Sequence, residues 1–254
     1  MTRFSANLGF LYTDRPVQDA IHAAHAAGVD AGECHWPYET PASETRTALE
    51  ATGLRMLGLN TVRGNPGENG LCALPGRQAE AKAAIAQAID YADAIDAGAV
   101  HIMAGFAQGP EAQAVYEDNL RLACTSTDRV ILIEPLNRHD APGYFLQTTD
   151  QARAIIETLD LPNLKLMFDC YHMQLMEGDL THRIKDILPI IGHIQFASVP
   201  DRGTPDHGEV NYAHIFAHLD ALGWDMPLGA EYKPTAPTVE TLGWMELYSS
   251  KSSE

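Results

Sequence analysis

Apolar runs of strand length alternate with amphipathic, helix-like stretches from one end of this chain to the other. Eight apolar runs predict strands, at residues 3–8, 29–36, 54–62, 99–106, 130–137, 164–172, 191–198 and 227–234. Eight stretches with helical periodicity predict helices, at residues 16–27, 43–52, 77–97, 112–124, 149–159, 180–188, 212–222 and 239–248. This alternation, without a long linker, predicts a parallel sheet wrapped by helices.

A closed barrel fits the chain better than an open sheet. Its 254 residues match the roughly 250 of a single (β/α)8 (TIM) barrel, so we expect one α/β domain over residues 1–254. A doubly wound open sheet is the alternative, but no GxGxxG motif follows the first strand. The Gly- and Pro-rich segment 60–76 predicts a long loop over the barrel top. The helix at 112–124 is expected to be short, because CTSTDR (124–129) has little helical periodicity.

Glycines mark the expected ends of four helices. Each falls where a helix should stop before the next strand, and the left-handed conformation that ends many helices favours glycine. These positions are Gly28, Gly53, Gly98 and Gly223.

The chain is strongly acidic, with 34 Asp and Glu against 17 Lys and Arg and a formal net charge of −17. Nucleic-acid binding needs a concentrated basic surface, so we expect no nucleic-acid partner and no anionic membrane surface. No apolar run reaches the roughly 20 residues of a membrane span, and the N-terminal ten residues lack a signal-peptide core. The four cysteines show no CxxC spacing, which fits reduced thiols and a cytoplasmic location.

Four predicted strands end on a side chain that carries an acceptor oxygen: Glu134, Asp169, Gln195 and Glu231. Burying such a group unpaired costs about 2–7 kcal/mol, so four in register need a shared counter-charge. In a barrel they lie at the C-terminal ends of consecutive strands, where active sites form. Oxygen ligands of this kind predict one hard divalent cation, Mg²⁺ or Mn²⁺. Taken alone, each of these residues could equally be a strand-end residue that faces solvent.

Motifs along almost the whole chain carry a family resemblance. The runs DCYHMQLMEGDLT (169–181) and EYKPT (231–235) are specific. Further matches are RFSANL (3–8), WPY (36–38), LPGR (74–77), LIEPLN (132–137), PGYFL (142–146), NLKL (163–166), IGHIQ (191–195), GEVNY (208–212) and GW (243–244). With these motifs the chain resembles the hydroxypyruvate isomerase family, within the larger group of xylose isomerase-like barrels.

The resemblance implies a metal-assisted isomerase of the aldose–ketose type. Its expected reaction interconverts a small hydroxy-2-oxo acid and its aldehyde isomer, as in hydroxypyruvate to tartronate semialdehyde, through an enediolate. In the family pattern Glu134 and Glu231 hold the metal and also act as acid and base. The expected partner is a small-molecule substrate. Barrels of this kind often pair through their rims, so a homo-oligomer is compatible with the sequence.

Other polar residues near the predicted rim are candidates for substrate binding. We expect His172 to hold or polarise a substrate oxygen, with a surface-loop histidine as the alternative. Arg202 is expected to bind a substrate carboxylate through its planar guanidinium; the alternative is a loop arginine paired with Asp201 or Asp206. His193 points inward by strand alternation and is expected to lie below the metal site. The role of His101 stays open.

Two departures from the family pattern leave the substrate open. The chain has Thr204 where relatives commonly carry Glu, and Leu59-Asn60 where they tend to carry His-Asn. A 2-oxo-tetronate isomerase and a ketose 3-epimerase are alternatives on the same barrel. An abasic-site endonuclease is a third, although it would need more metal ligands and a basic rim. A barrel that only binds a small hydroxy acid or sugar is a fourth.

Overall fold

The strands of this protein form one parallel sheet that curls into a barrel. The computed structural model describes residues 2–249. Its strands are β1 (Phe4–Asn7), β2 (Ala31–Glu33), β3 (Arg55–Met56), β4 (Leu59–Asn60), β5 (Ala99–His101), β6 (Val130–Ile133), β7 (Leu164–Asp169), β8 (Ile191–Phe196) and β9 (Leu228–Ala230). The sheet order is β3-β2-β1-β9-β8-β7-β6-β5-β4, so β3 and β4, which are neighbours in sequence, stand at its two ends. The predicted TIM barrel is confirmed.

Helices follow most of the strands and cover the outside of the barrel. They are α1 (Val17–Ala26), α2 (Ala42–Thr52), α3 (Gln78–Ile95), α4 (Gly109–Ser126), α5 (Thr149–Leu159), α6 (Cys170–Met176), α7 (Leu180–Ile187), α8 (Tyr212–Ala221) and α9 (Trp244–Ser249). Three short 3-10 turns cover Pro37–Glu39, Leu188–Ile190 and Thr238–Thr241. None of the helices within residues 2–249 has the length and apolarity that a membrane span requires.

The third predicted strand, residues 54–62, is divided into β3 and β4. β3 pairs with β2, and β4 pairs with β5. Between them the Leu57 amide donates to Gly32 O at 2.7 Å, and Gly58 O accepts from the Cys34 amide at 3.0 Å. Hydrogen bonding therefore continues across the division, and this segment closes the barrel.

Three of the four predicted glycine caps are confirmed: Gly28, Gly53 and Gly223 have φ values of 80°, 72° and 82°. The prediction for Gly98 is wrong, because α3 is capped instead by Asp96, which takes the left-handed conformation with φ 57°. Gly98 is needed for a different reason. A Cβ there would lie 3.0 Å from Leu57 O, so its lack of a side chain lets two barrel segments approach.

Three helices differ from the sequence prediction. The predicted helix at 239–248 is divided into the 3-10 turn Thr238–Thr241 and α9 (Trp244–Ser249). Helix α4 is longer than expected, because the hydroxyls of Thr125 and Ser126 bond back to Arg121 O and Leu122 O at 2.8 and 2.7 Å. The predicted strand at 164–172 stops at Asp169, and α6 begins at the next residue. The Asp169 carboxylate accepts the Tyr171 amide at 2.8 Å and so caps this helix.

Candidate active site

Three carboxylates meet at the C-terminal end of the barrel. Glu134 directly follows β6, Asp169 ends β7, and Glu231 directly follows β9. One oxygen from each, together with a ring nitrogen of His172, lies within 4.8 Å of the others. All four side chains are buried. Parallel strands of a barrel bring their carboxyl ends to one rim, which is why residues so distant in sequence converge here.

Gln195 belongs to the same cluster and pairs in register with Asp169 on β7. Its amide nitrogen donates to Glu231 Oε1 at 3.3 Å and to Glu33 Oε2 at 3.1 Å. Gly229 leaves room for this arrangement, since a Cβ there would lie 2.1 Å from Glu33 Oε1 and 2.9 Å from Gln195 Cγ. The two glutamates therefore fix the orientation of the amide and turn its oxygen away from themselves.

Three buried oxygens of the cluster have no hydrogen-bond partner within residues 2–249: Glu134 Oε1, Asp169 Oδ2 and Gln195 Oε1. Buried acceptors are normally paired, and leaving one unpaired costs free energy. All three are hard oxygen acceptors from carboxylate or amide groups, the ligands that Mg²⁺ and Mn²⁺ prefer. The donor set fits a metal ion, and this buried cluster could bind one.

Burial and mutual repulsion decide which carboxyl groups ionise. Burial, and then the charges of Glu231 and Asp169, raise the pKa of Glu134 well above its ordinary value. Burial and Glu231 raise the pKa of Asp169 to about 7. Burial also disfavours the ionised form of Glu231, but Arg202 and His35 outweigh it and lower that pKa to about 2. The protein thus supplies enough positive charge to keep Glu231 ionised, and too little to do the same for Glu134 and Asp169.

His172 lies in α6, buried beside the carboxylates, so the surface-loop alternative is wrong. Its Nδ1 accepts the Asn137 amide at 3.1 Å. Burial, and then Arg202, lower the pKa of His172 to about 3, so the ring is neutral. A neutral imidazole that accepts at Nδ1 carries its proton on Nε2. Nε2 lies 3.5 Å from Asp169 Oδ2 and 3.9 Å from Glu134 Oε1, and therefore faces the cluster as a hydrogen-bond donor.

Arg202 is buried among carboxylates. Its Nη2 forms an ion pair with Glu231 Oε2 and lies 3.6 Å from Asp169 Oδ2. Its Nη1 lies 3.8 Å from Asp140 Oδ2. Pairing with Asp201 or Asp206, the sequence alternative, is absent from the part of the chain that the structure describes. The guanidinium is thus a fixed positive charge inside the cluster.

The first two strands supply residues that the sequence analysis did not single out. Asn7, at the end of β1, donates from Nδ2 to Glu231 Oε1 at 2.9 Å. His35 Nε2 lies 2.9 Å from the same oxygen. Glu33, at the end of β2, bonds to His193 Nε2 at 2.7 Å. The sequence does contain a signal for Asn7 and Glu33, because β1 and β2 also end on polar residues.

Two more buried histidines, His193 and His101, lie next to the cluster. His193 is buried against Glu33, in agreement with the predicted position below the site. His101 is also buried, and its Nδ1 lies 3.7 Å from Glu134 Oε2, with no hydrogen bond at either ring nitrogen. Burial lowers the pKa of His101 to about 3, so it adds no charge to the site.

A cavity of about 330 Å³ opens onto the cluster. Glu134, His172, Arg202 and Glu231 line its floor, and its other walls include Phe10, Trp36, Asn60, Arg63, Asn69 and Asp140. The loop between β4 and α3, predicted to cover the barrel top, contributes two of these wall residues, Arg63 and Asn69, and Asn60 ends β4. A larger cavity of about 520 Å³ near Arg15 and Val239 contains none of the clustered residues. The smaller cavity is therefore the one with reactive groups.

Comparison with known proteins identifies the family. A family model described as xylose isomerase-like TIM barrel matches residues 21–248. The chain belongs to this family. A 2-oxo-tetronate isomerase of Cupriavidus necator is 42% identical to this xylose isomerase-like protein, over 98% of this chain and 99% of the relative. The hydroxypyruvate isomerase of Escherichia coli is 35% identical, over 98% of this chain and 100% of the relative.

A solved structure agrees with the same fold. The crystal structure described as AP endonuclease, family 2, from Brucella melitensis is 33% identical and superposes with a TM-score of 0.93, covering 98% of this chain and 99% of that one. The relatives named above confirm the resemblance to hydroxypyruvate isomerases. This family member is an isomerase.

Proposed function

We propose that this isomerase interconverts a small hydroxy-2-oxo acid and its aldehyde isomer, as in hydroxypyruvate to tartronate semialdehyde. The observation that carries the proposal is the pair Glu134 and Glu231, which stand within 4.8 Å of Asp169 and of each other on the floor of the cavity. A cavity of about 330 Å³ lies at the small end of the range of roughly 300–1,000 Å³ for ligand pockets, which suits a small-molecule substrate. The names of the two isomerase relatives support the same reaction class.

One divalent ion, Mg²⁺ or Mn²⁺, would be held by Glu134, Asp169, Gln195 and Glu231. The three buried acceptor oxygens without a partner support this ligand set. His172 is better excluded from it, because its Nε2 carries a proton and offers no lone pair. Bound there, the ion supplies polarisation of the substrate carbonyl and stabilisation of negative charge on the substrate oxygens.

The chain's own groups move the protons. One of Glu134 and Glu231 takes a proton from C3 of hydroxypyruvate, which leaves an enediolate, and the other returns a proton to C2. The hydroxyl proton on the C3 oxygen ends on the C2 oxygen, so the composition of the substrate is unchanged. His172 donates from Nε2 to a substrate oxygen. Arg202 contacts the substrate beside its ion pair with Glu231.

Deuterium exchange tests this function without a guess about the product. The protein is incubated with hydroxypyruvate and Mg²⁺ or Mn²⁺ in heavy water, and isotope incorporation is read by mass spectrometry. Glu231→Gln and Glu134→Gln should each lower the exchange rate about 10²–10⁴-fold. Glu111→Gln is the matched control, since Glu111 is exposed on α4 and lies outside the cavity lining.

The outcome must be read with the metal content. Bound metal is measured in every variant, because losing a ligand and losing a base both lower activity. If Glu231→Gln keeps its metal and exchanges deuterium at the rate of the unsubstituted protein, Glu231 does not transfer the proton. If the unsubstituted protein incorporates no deuterium from any three- to six-carbon hydroxy-carbonyl compound, the proposed function fails.

A four-carbon 2-oxo-tetronate is the second candidate substrate, supported by the 42% identical relative of that name. It would undergo the same proton transfer in the same cavity. Ketose 3-epimerisation stays open on the same ligands and is tested by including neutral ketoses in the screen. Abasic-site cleavage is disfavoured by the net charge of −17. It is also disfavoured because residues 2–249 contain one candidate metal cluster and not the several that a multi-zinc nuclease needs.

A further inference from the structure

Two arginines line the active-site cavity, and their surroundings differ. Arg202 on the floor is already surrounded by the carboxylates of Glu231, Asp169 and Asp140. A substrate carboxylate that approached it would have to compete with these carboxyl groups for the same guanidinium. The second arginine, Arg63, lies in the wall of the same cavity. Within residues 2–249 no carboxylate lies within ion-pair distance of Arg63.

The guanidinium of Arg63 is held in place and yet has free donors. It stacks over the ring of Trp36, with 4.9 Å from Cζ to the ring centroid. Its Nε donates to Glu68 O at 3.2 Å. No group in the described part of the chain accepts from Nη1 or Nη2. These two nitrogens form one edge of the planar fork, and this edge can bind a carboxylate in bidentate fashion.

The surrounding loop fixes this position. The Trp36 indole donates to Thr61 O at 3.0 Å, and Arg63 O accepts the Gly70 amide at 2.8 Å. Gly70 in turn forms a bridge with Ala104 beyond β5. The arginine is therefore carried by a loop tied to the barrel at both sides, and little ordering is needed when a ligand binds.

A continuous wall connects Arg63 with the reacting end of the cavity. Trp36 lies against His35, with ring centroids 4.9 Å apart, and His35 Nε2 lies 2.9 Å from Glu231 Oε1. Glu231 and the free edge of Arg63 therefore belong to one lining, and both face the same cavity.

We propose that Arg63 binds the carboxylate of the substrate and so selects 2-oxo acids over neutral ketoses. This inference rests on the proposed isomerase function and names the residue that gives it its substrate class. The guanidinium also offsets locally the field of a chain with net charge −17, which would otherwise repel a small anion. Arg202 then pairs with the carboxylates of the site, and Arg63 binds the carboxylate of the ligand.

The test compares ligands that differ by one carboxylate. Binding of glycerate and of glycerol is measured by calorimetry. Turnover of hydroxypyruvate and of dihydroxyacetone is followed by deuterium exchange. Arg63→Gln should weaken glycerate binding and raise KM for hydroxypyruvate about 10- to 100-fold, the usual cost of losing a charge-assisted hydrogen bond, with little change in kcat. Glycerol and dihydroxyacetone should be unaffected. Arg63→Lys should recover only part of the loss, because it restores charge without the fork.

Arg138→Gln is the matched control, since Arg138 is exposed, follows β6 on the same rim and lies outside the cavity lining. It removes the same charge and should leave glycerate binding intact. If both variants weaken glycerate binding equally, Arg63 acts only through the overall electrostatic field of the protein, and the inference is overturned. An unchanged glycerate affinity in Arg63→Gln would overturn it as well. If the unsubstituted protein exchanges no deuterium into any test compound, the proposed function fails instead, and the glycerate measurement still decides whether Arg63 binds a carboxylate.

Discussion

Replacing Gly229 by alanine would place a methyl group inside the hydrogen-bond network below the active site. The new Cβ would lie 2.1 Å from Glu33 Oε1, and 2.9 Å from both Gln195 Cγ and His193 Nε2. None of these neighbours can move freely, because Glu33 is bonded to His193 and to Gln195. Overpacking of this kind costs about 1–3 kcal/mol of unfolding free energy.

The same substitution should weaken metal binding. Glu33 orients the Gln195 amide, and loss of such an outer partner typically costs about 10–100-fold in metal affinity. Stability is measured by urea denaturation without metal, and affinity by calorimetric titration with Mn²⁺. Gly243→Ala is the matched control, because its Cβ would meet no atom within 4 Å. A Gly229→Ala protein with unchanged midpoint and unchanged affinity would refute the reasoning.

Three further substitutions or treatments have defined outcomes. Gly70→Ala should destabilise the loop that carries Arg63, because its Cβ would lie 2.4 Å from Met103 O at a φ of 114°; limited proteolysis between residues 60 and 76 should accelerate. Arg202→Met should lower the unfolding free energy by about 3–5 kcal/mol, as removal of one partner of a buried ion pair does. Added Mn²⁺ should recover part of that loss, and an equal loss with and without Mn²⁺ would contradict the ligand set. Chelation of the unsubstituted protein should abolish deuterium exchange, with recovery on readdition of Mg²⁺ or Mn²⁺; full exchange in chelator would argue against metal assistance.

Four residues of the site could be predicted from the sequence, because each of them lies at the end of a barrel strand. Glu134, Asp169, Gln195 and Glu231 each end an apolar strand, and a barrel gathers strand ends at one rim. The same rule applied to β1 and β2 would have found Asn7 and Glu33. Their polar ends are less conspicuous, because Glu33 stands between Gly32 and Cys34, and Asn7 is followed closely by Gly9.

The partners of the arginines could not be predicted in the same way. Arg202 is enclosed by side chains from β7, from the end of β9 and from the loop at Asp140, so its surroundings exist only in the folded chain. Arg63 lies in a segment with no periodicity, and its free edge depends on Trp36 and Glu68 O. The division of the third strand and the role of Gly98 likewise depend on close approach between segments distant in sequence.

The position of Arg202 has a consequence for any cation that this cluster would bind. Because the guanidinium already forms an ion pair with Glu231, a cation bound by this cluster would share Glu231 with a positive charge that the fold itself supplies. The carboxylate of Asp140, 3.8 Å from Nη1, holds the guanidinium on its other side. A cation bound here would meet the positive charge of Arg202, which would lower its affinity and keep it exchangeable. Occupancy would then follow the supply of free divalent ions around the finished protein, and not their presence during synthesis.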